Sequence, residues 1–241
     1  MHKYYMSKEN KILKSYGKLS KKAESILLEV YDKDTVTEII IKTEEQYKNI
    51  IPRLPYIGGK NNVMTPIIEF NGWIISFYKA MNQKGFDATV VAYIARAVFL
   101  SIFNKIPKPI GALIGKVPFT GAGIKFFKKQ AEKSQLKQYP EDFVYTIEVI
   151  KKEGKEVEVE FEFLECAVHK FYQAEDAEAL KVFCNFGDPI YSQRFEMGVN
   201  ADHTFAQGCH TCRLNYNNKR PTYTPSNVQQ MIEEAQVIMK K

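Results

Sequence analysis

The chain has 241 residues, of which 45% are hydrophobic and 13% aromatic, so it can bury a large core and is not expected to be disordered. Its formal net charge is +6, and seven lysines fall within the first 22 residues. These lysines are not interleaved with aromatic residues in a recognised module. We therefore interpret them as a solvated basic surface and expect neither nucleic acid nor a membrane as a partner.

The N-terminal segment has no apolar stretch followed by small residues, so no secretory signal is predicted and a cytoplasmic location is expected. Cysteines in that compartment are expected to be reduced. The most apolar stretch, from Ala88 to Phe103, is shorter than a bilayer requires and contains Arg96. We predict a buried helix there.

The first half of the chain has helical periodicity. The spacing of apolar residues predicts helices over residues 23–31, 35–51, 64–83, 87–103 and 124–137. Thr35 and Glu38 fit a capping box, and Asp87 fits an N-cap. The glycine-rich residues 110–123 could form a mobile lid, but close helix packing with turns is the favoured interpretation.

The periodicity changes from helix to strand after Pro140. Residues 143–150 and 157–163 alternate as a hairpin with Gly154 at its turn, and residues 197–207 and 211–216 indicate a second pair. A terminal helix is predicted over residues 225–241. We thus predict an α+β fold, in which a helical region (1–139) packs on an antiparallel sheet of about four strands (140–241), forming one compact unit.

Two further expectations concern the segment after the hairpin. The alternation breaks near Leu164, so either the strand ends or bulges there, or Glu165 points into a pocket beside Cys166. An amphipathic helix is predicted over residues 174–186, with Cys184 on its packed face. Asp188, followed by Pro189, has the pattern of an N-cap for another helix.

The side chains suited to nucleophilic or proton-transfer chemistry are concentrated in one fifth of the chain. All four cysteines and three of the four histidines lie there: Cys166, His169, Cys184, His203, Cys209, His210 and Cys212. Cys209 and Cys212 form a CxxC, but Arg213 follows it where haem attachment needs His. The CxxC also leads into a strand, unlike a thioredoxin motif.

This segment resembles the L-2-amino-thiazoline-4-carboxylic acid hydrolase family. The resemblance is carried by the runs ECAVHKFYQAEDAEALKVFCNFGDPIY and HTFAQGCHTCRLNY, together with PYIGG at residues 55–59. The matching positions are Cys166, Cys184, Asp188, Thr204, Ala206, Gly208 and Cys212. Arg213 stands where family members commonly carry Asp, and the spacing from Cys184 to Asp188 is one residue longer here.

The resemblance implies ring opening of a cyclic amidine, aminothiazoline carboxylate, to N-carbamoyl-cysteine, by a hydrolase acting on non-peptide carbon–nitrogen bonds. A thiolate can attack the electrophilic C2 atom, and an acid–base group can protonate the leaving atom. The candidate residues divide by role. Those for catalysis are Cys212 or Cys166 as nucleophile, Asp188 as the amidinium partner, and His203 or His210 as acid–base. Those for substrate binding are Cys184, Arg194, Arg213 and Glu165.

The cysteines also allow a different class of function, a metal- or small-molecule-binding sensor. No cofactor is expected, although Cys166, Cys184 and Cys212 would be the ligands of a metal if one were bound. The expected partner is a small-molecule substrate, and a homo-oligomer is possible.

Overall fold

The structure is a computed structural model that describes residues 3–239. It has the predicted α+β fold, with helices in the first half and one four-stranded antiparallel sheet. The helices are α1 (Lys3–Met6), α2 (Glu9–Leu27), α3 (Lys33–Ile50), α4 (Thr65–Asn82), α5 (Ala88–Phe103), α6 (Lys108–Gly115), α7 (Gly121–Gln135), α8 (Ala167–Ala174), α9 (Cys184–Phe195) and α10 (Ser226–Met239). The strands are β1 (Val144–Glu153), β2 (Glu156–Glu165), β3 (Val199–His203) and β4 (Cys212–Asn217), paired in the order β1-β2-β4-β3.

Contacts between residues group the described chain into two compact units. The helical unit comprises residues 3–98, 167–182 and 231–239. The sheet unit comprises residues 99–166 and 183–230, and it contains the four strands together with α6, α7 and α9. Each unit buries its own set of apolar side chains.

Helix α4 is the centre of the helical unit, because it is apolar on nearly every side. Trp73 and Phe77, one turn apart, stack with ring centroids 5.3 Å apart. The indole of Trp73 donates a hydrogen bond of 3.0 Å to Ser20 Oγ on α2. This bond satisfies the one polar atom of the buried ring, so the tryptophan can lie in the core without an unpaired donor.

The sequence predicts N-terminal caps for two helices, α3 and α5. Asp87 caps α5 as predicted, since its carboxylate accepts from the backbone N–H groups that begin that helix. The capping box predicted at Thr35 and Glu38 is wrong. Helix α3 begins earlier, and Asp32 is its N-cap, accepting a hydrogen bond of 2.9 Å from Thr35 N. Glu38 instead forms ion pairs with lysines on the surface.

A buried carboxylate links three segments of the helical unit. Glu175, which follows α8 and is 5% exposed, accepts hydrogen bonds from Arg53 Nε (2.7 Å), Arg53 Nη2 (2.9 Å) and Lys79 Nζ (2.7 Å). Burial by itself raises the pKa of Glu175, but these charged donors outweigh it and hold the pKa below its ordinary value. The pairing therefore stabilises the ionised form.

The predicted hairpin forms β1 and β2, with Gly154 in the left-handed conformation at its turn (φ +57°). Alternate residues of β2, Val157, Val159 and Phe161, are buried. Val144 pairs with Glu165 but Tyr145 pairs with Phe163, so Leu164 is left without a partner. A bulge at Leu164, one of the alternatives that the sequence leaves open, is thus present, and the strand continues past it to Glu165.

The helix predicted over residues 174–186 does not form as a single element. A 3₁₀ segment (Glu178–Phe183) follows α8, and α9 then begins at Cys184. Asp188 is therefore not an N-cap, as was predicted, but lies within α9, and Pro189 follows it inside the helix. Because Pro189 has no N–H, the carbonyl of Asn185 receives no helical hydrogen bond from it.

The glycine-rich segment forms closely packed helices, which confirms the favoured interpretation. A Cβ atom added at Gly111 would lie 2.6 Å from the carbonyl oxygen of Arg194, and one added at Gly115 would lie 1.7 Å from that of Phe195. Only residues without a side chain allow α6 to approach the end of α9 this closely. Of the predicted terminal helix, the last two residues lie outside the described range.

No single helix within residues 3–239 has both the length and the apolar character needed to cross a bilayer. Two consecutive segments, Ala88–Phe103 and Lys108–Phe119, are long and apolar enough only when they are taken together, and a bend separates them.

We expect Gly115→Ala to lower the free energy of unfolding by about 2 kcal/mol or more, because the new methyl group would meet a backbone oxygen that cannot move without shifting α9. Gly121→Ala is the matched control, since no heavy atom lies within 4 Å of its added Cβ. It should leave stability unchanged or raise it slightly. Urea unfolding followed by circular dichroism measures both, and equal stability of the two variants would contradict this packing.

Candidate functional site

Three polar side chains lie on one face of α9. Cys184, Asp188 and Tyr191 are separated by four and then three residues, the spacing that repeats along one side of a helix. The phenol hydroxyl of Tyr191 forms a hydrogen bond with that of Tyr216 on β4. This face of α9 is therefore turned towards the sheet.

Strand β4 supplies the opposing residues. Cys212, Leu214 and Tyr216 alternate along it and share one face with the buried Val159 and Phe161 of β2. Half-buried Phe163 pairs with Cys212 on that face. Cys212 Sγ accepts a hydrogen bond of 3.1 Å from Phe205 N, which belongs to the turn between β3 and β4. The prediction that Cys212 points inward with the apolar residues is confirmed.

The third thiol, Cys166, follows the last residue of β2. Cys184 interacts electrostatically with Cys166, Cys212 and Asp188, and Cys212 interacts with the same aspartate, with Cys166 and with Cys209. We call Cys166, Cys184 and Cys212 the thiol cluster. Although these cysteines are up to 46 positions apart in the sequence, the sheet unit brings them and Asp188 within range of one another.

Burial governs the protonation of this site. It raises the pKa of Asp188 to about 7 and that of Cys212 to about 12, and it raises the pKa of Cys184 well above the usual value. The Asp188 carboxylate forms no hydrogen bond or ion pair with the described residues that would offset this burial. At neutral pH Cys184 and Cys212 are therefore neutral thiols, beside a carboxyl group poised between its two states.

The hydroxyl pair completes the site. Burial, followed by the nearby Asp188 charge, raises the pKa of Tyr191, and burial is also the main cause of the raised pKa of Tyr216. Both phenols therefore stay protonated at neutral pH. Cys166, Cys184, Cys212, Asp188 and Tyr191 are each half-buried residues.

The structure places the two predicted acid–base histidines away from the thiol cluster. His203 pairs with Arg213 across β3 and β4, on the face opposite Cys212, and its Nε2 lies 3.3 Å from Thr211 Oγ1. That hydroxyl donates to Glu162 Oε1 at 3.1 Å. His210 lies exposed in the turn before β4.

Three predicted substrate-binding residues have other partners. Arg213 forms an ion pair of 3.3 Å with Glu162 on the outer face of the sheet, and Glu165 binds Lys137 Nζ at 2.5 Å. Arg194 Nη2 contacts Asn104 O at 3.4 Å, and its Nε is buried without a hydrogen-bond partner in the described chain. Of the predicted binding residues, only Cys184 lies in the thiol cluster.

The thiols bear on two other predictions. No disulfide joins the four cysteines, all of which lie in the described chain. Within that chain, no group of three or more His, Cys, Asp or Glu side chains has the geometry to hold a metal ion. Cys166, Cys184 and Cys212, the ligands predicted for a bound metal, therefore do not have that geometry in this structure.

Sequence reasoning missed Tyr191 and Tyr216. Each follows a candidate cysteine at a spacing that keeps it on the same face: Tyr191 is seven residues after Cys184 on a helix, and Tyr216 is four after Cys212 on a strand. The strand spacing was visible in the sequence. The helix spacing was not, because α9 was expected to start later.

Replacing Asp188 should change how stability depends on pH. A carboxyl group with a raised pKa keeps a proton in the folded protein that the unfolded chain has released, so it lowers stability as the pH rises towards 7. We expect Asp188→Asn to gain about 2 kcal/mol in unfolding free energy over the wild type between about pH 5 and pH 8. Urea unfolding at several pH values measures this difference. Asp202→Asn, at an exposed position of β3, is the control, and parallel pH curves for Asp188→Asn and the wild type would contradict the burial argument.

No protein-family model, curated protein or solved structure matches this chain. The likeness to the hydrolase family therefore consists of the short motifs given above. What the site does must be argued from its own side chains, the three thiols, Asp188 and the paired tyrosines.

Proposed function

We propose that the protein is a hydrolase that opens a small cyclic amidine, of which L-2-amino-thiazoline-4-carboxylate is the model substrate. The observation that carries the proposal is Asp188, a carboxyl group that is surrounded by protein, has no hydrogen-bond or ion-pair partner within residues 3–239 and is grouped with three thiols. Such an arrangement combines a recognition group for a cation with nucleophiles.

An amidinium group matches the missing partner of Asp188. It is planar, carries one positive charge and offers N–H donors to both oxygens of a carboxylate. Its charge would favour the ionised carboxylate, offsetting the burial that raises the pKa of Asp188 to about 7. Asn185 Oδ1, a buried acceptor on the same helix with no partner in the described residues, is a further polar atom that a donor-rich ligand could satisfy.

The positive charge of the amidinium group would also activate a thiol. Cys212 has a pKa of about 12 in the protein alone, so it is a weak nucleophile until a cation lowers that value. Asp188 interacts with Cys212 and can accept its proton as the sulfur attacks C2 of the substrate. Cys166 is the alternative nucleophile, because it interacts with both other thiols.

The proposed reaction has two steps, in which atoms and protons balance. A C2–S bond to the enzyme forms while the ring C2–S bond breaks, and protonated Asp188 returns its proton to the departing ring sulfur. Water next adds to C2, and the bond to the enzyme sulfur breaks, which restores the thiol and leaves a urea carbon. The sum is substrate plus water giving N-carbamoyl-cysteine.

The paired tyrosines have a positioning role in this proposal. Tyr191 shares its helix face with Asp188, and its bond to Tyr216 fixes that face against β4. Tyr191→Phe should therefore alter the placement of Asp188 without removing a reacting group. The histidines take no part, since His203 lies on the other face of the sheet.

The direct test is turnover of aminothiazoline carboxylate by the purified protein, followed by related cyclic amidines. We expect Cys212→Ser or Cys166→Ser to lower kcat/KM by about a hundredfold or more, because one of them supplies the nucleophile. Cys209→Ser is the matched control: it makes the same change at a cysteine that interacts with Cys212 but is not a proposed nucleophile, and it should keep full activity. His203→Gln should keep it too.

The pH profile gives a second readout. Because ionised Asp188 is needed both as the amidinium partner and as the base, kcat/KM should rise as the pH passes through about 7. Full activity in both Cys166→Ser and Cys212→Ser would exclude the covalent route. Stoichiometric zinc or iron in the purified protein, lost in the same variants, would instead favour the metal-binding sensor.

A further inference from the structure

Helix α6 presents its apolar face outward. Its large apolar residues recur at three- and four-residue spacing and so share one side of the helix. They are Ile110 (51% exposed), Leu113 (68%) and Ile114 (48%), continued by Val117 (54%) in the 3₁₀ turn Val117–Phe119. The side turned to the protein is instead formed by glycines that contact the end of α9. An amphipathic helix normally buries its apolar side, so this orientation is reversed.

The chain around this face is entirely cationic. From residue 99 to residue 131 there are six lysines and no Asp or Glu. The lysines are Lys105, Lys108, Lys116, Lys125, Lys128 and Lys129. Lys108 and Lys116 bracket α6, and Phe126, which is 43% exposed, lies among the last three. None of the six forms an ion pair with an acidic residue in the described chain.

We propose that this face, Ile110, Leu113, Ile114 and Val117 with the lysines around it, binds the surface of an anionic lipid bilayer. The apolar side chains would enter the headgroup region, and the lysines would contact lipid phosphates. No segment needs to cross the membrane for such contact. The absence of a membrane partner expected from the sequence rested on the missing span and on the N-terminal lysines, neither of which concerns this helix.

A cavity beside α6 supports an anionic partner. Its volume is about 670 Å³, and α6 forms one wall through Ala112, Gly115 and Lys116. Lys155, Lys219 and Arg220 also line it, against a single acidic residue, Glu196. Three lysines and Arg220, from three segments, thus lie on the flank of the apolar face. Arg220 forms an ion pair with Glu158, so the lysines are the groups that would accommodate a phosphate headgroup.

Charge also argues against a second copy of the chain as the occupant. Two such faces brought together would place Lys108 and Lys116, at the two ends of α6, close to the same lysines of the second copy. Like charges at that density repel each other and reduce the gain from burying the apolar residues. A bilayer rich in phosphatidylglycerol supplies both the apolar interior and the negative charge.

The test is co-sedimentation of the full-length protein with vesicles of phosphatidylcholine alone and with vesicles that also contain phosphatidylglycerol. We expect binding only to the anionic vesicles, weakened by added salt. Leu113→Asn with Ile114→Asn should lower the vesicle affinity at least about tenfold. The control is Ile41→Asn on α3, an isoleucine of similar exposure (54%), which should bind as the wild type does.

Two double variants with the same change in net charge distinguish an effect of the α6 surface from an effect of the net charge. Lys108→Glu with Lys116→Glu should weaken binding, whereas Lys21→Glu with Lys22→Glu, an equal change on exposed residues of α2, should have much less effect. Equal binding to both kinds of vesicle, unchanged binding of the α6 variants, or no binding of the wild type would each overturn the proposal. A wild-type dimer that these variants convert to a monomer, without vesicle binding, would assign the face to a second copy instead.

Discussion

The packing of α9 against β4 is the constraint on which the candidate site depends. One helix face carries Cys184, Asp188 and Tyr191, and the hydroxyl bond from Tyr191 to Tyr216 holds that face over the strand. At the far end of α9, Gly111 and Gly115 let α6 approach its last carbonyls. Side chains from distant parts of the sequence are grouped because these contacts fix one rotation of α9 about its axis.

Glu175 and Asp188 show how the removal of a carboxylate from water can have opposite consequences. Glu175 is held by Arg53 and Lys79, so its pKa is lowered and its charge contributes to stability. Asp188 has no such partner, and burial raises its pKa to about 7. A protein usually satisfies a buried charge, so an unsatisfied one beside accessible thiols is a feature that stability alone does not explain.

Much of the architecture could be read from the sequence because it follows from local periodicity. The β1–β2 hairpin, its turn at Gly154 and the bulge at Leu164 all follow from alternation and its interruption. The cap at Asp87 was predicted for the same reason. The sequence predicts an N-cap at Asp188 because Asp followed by Pro is typical of a helix start, and this prediction is wrong. In the structure the helix starts earlier, at Cys184, and Pro189 lies inside it.

The sequence by itself determined the fold class, the strand pairs and the inward face of Cys212, since these depend on spacing along one segment. Only the tertiary structure decided which reactive residues meet. His203 is as close to Cys212 in sequence as many catalytic partners are, yet the register of β3 against β4 places it on the other face. Conversely, Tyr191 and Tyr216 are 25 positions apart and come into contact. Such encounters depend on how whole elements are rotated and paired, and no local pattern encodes them.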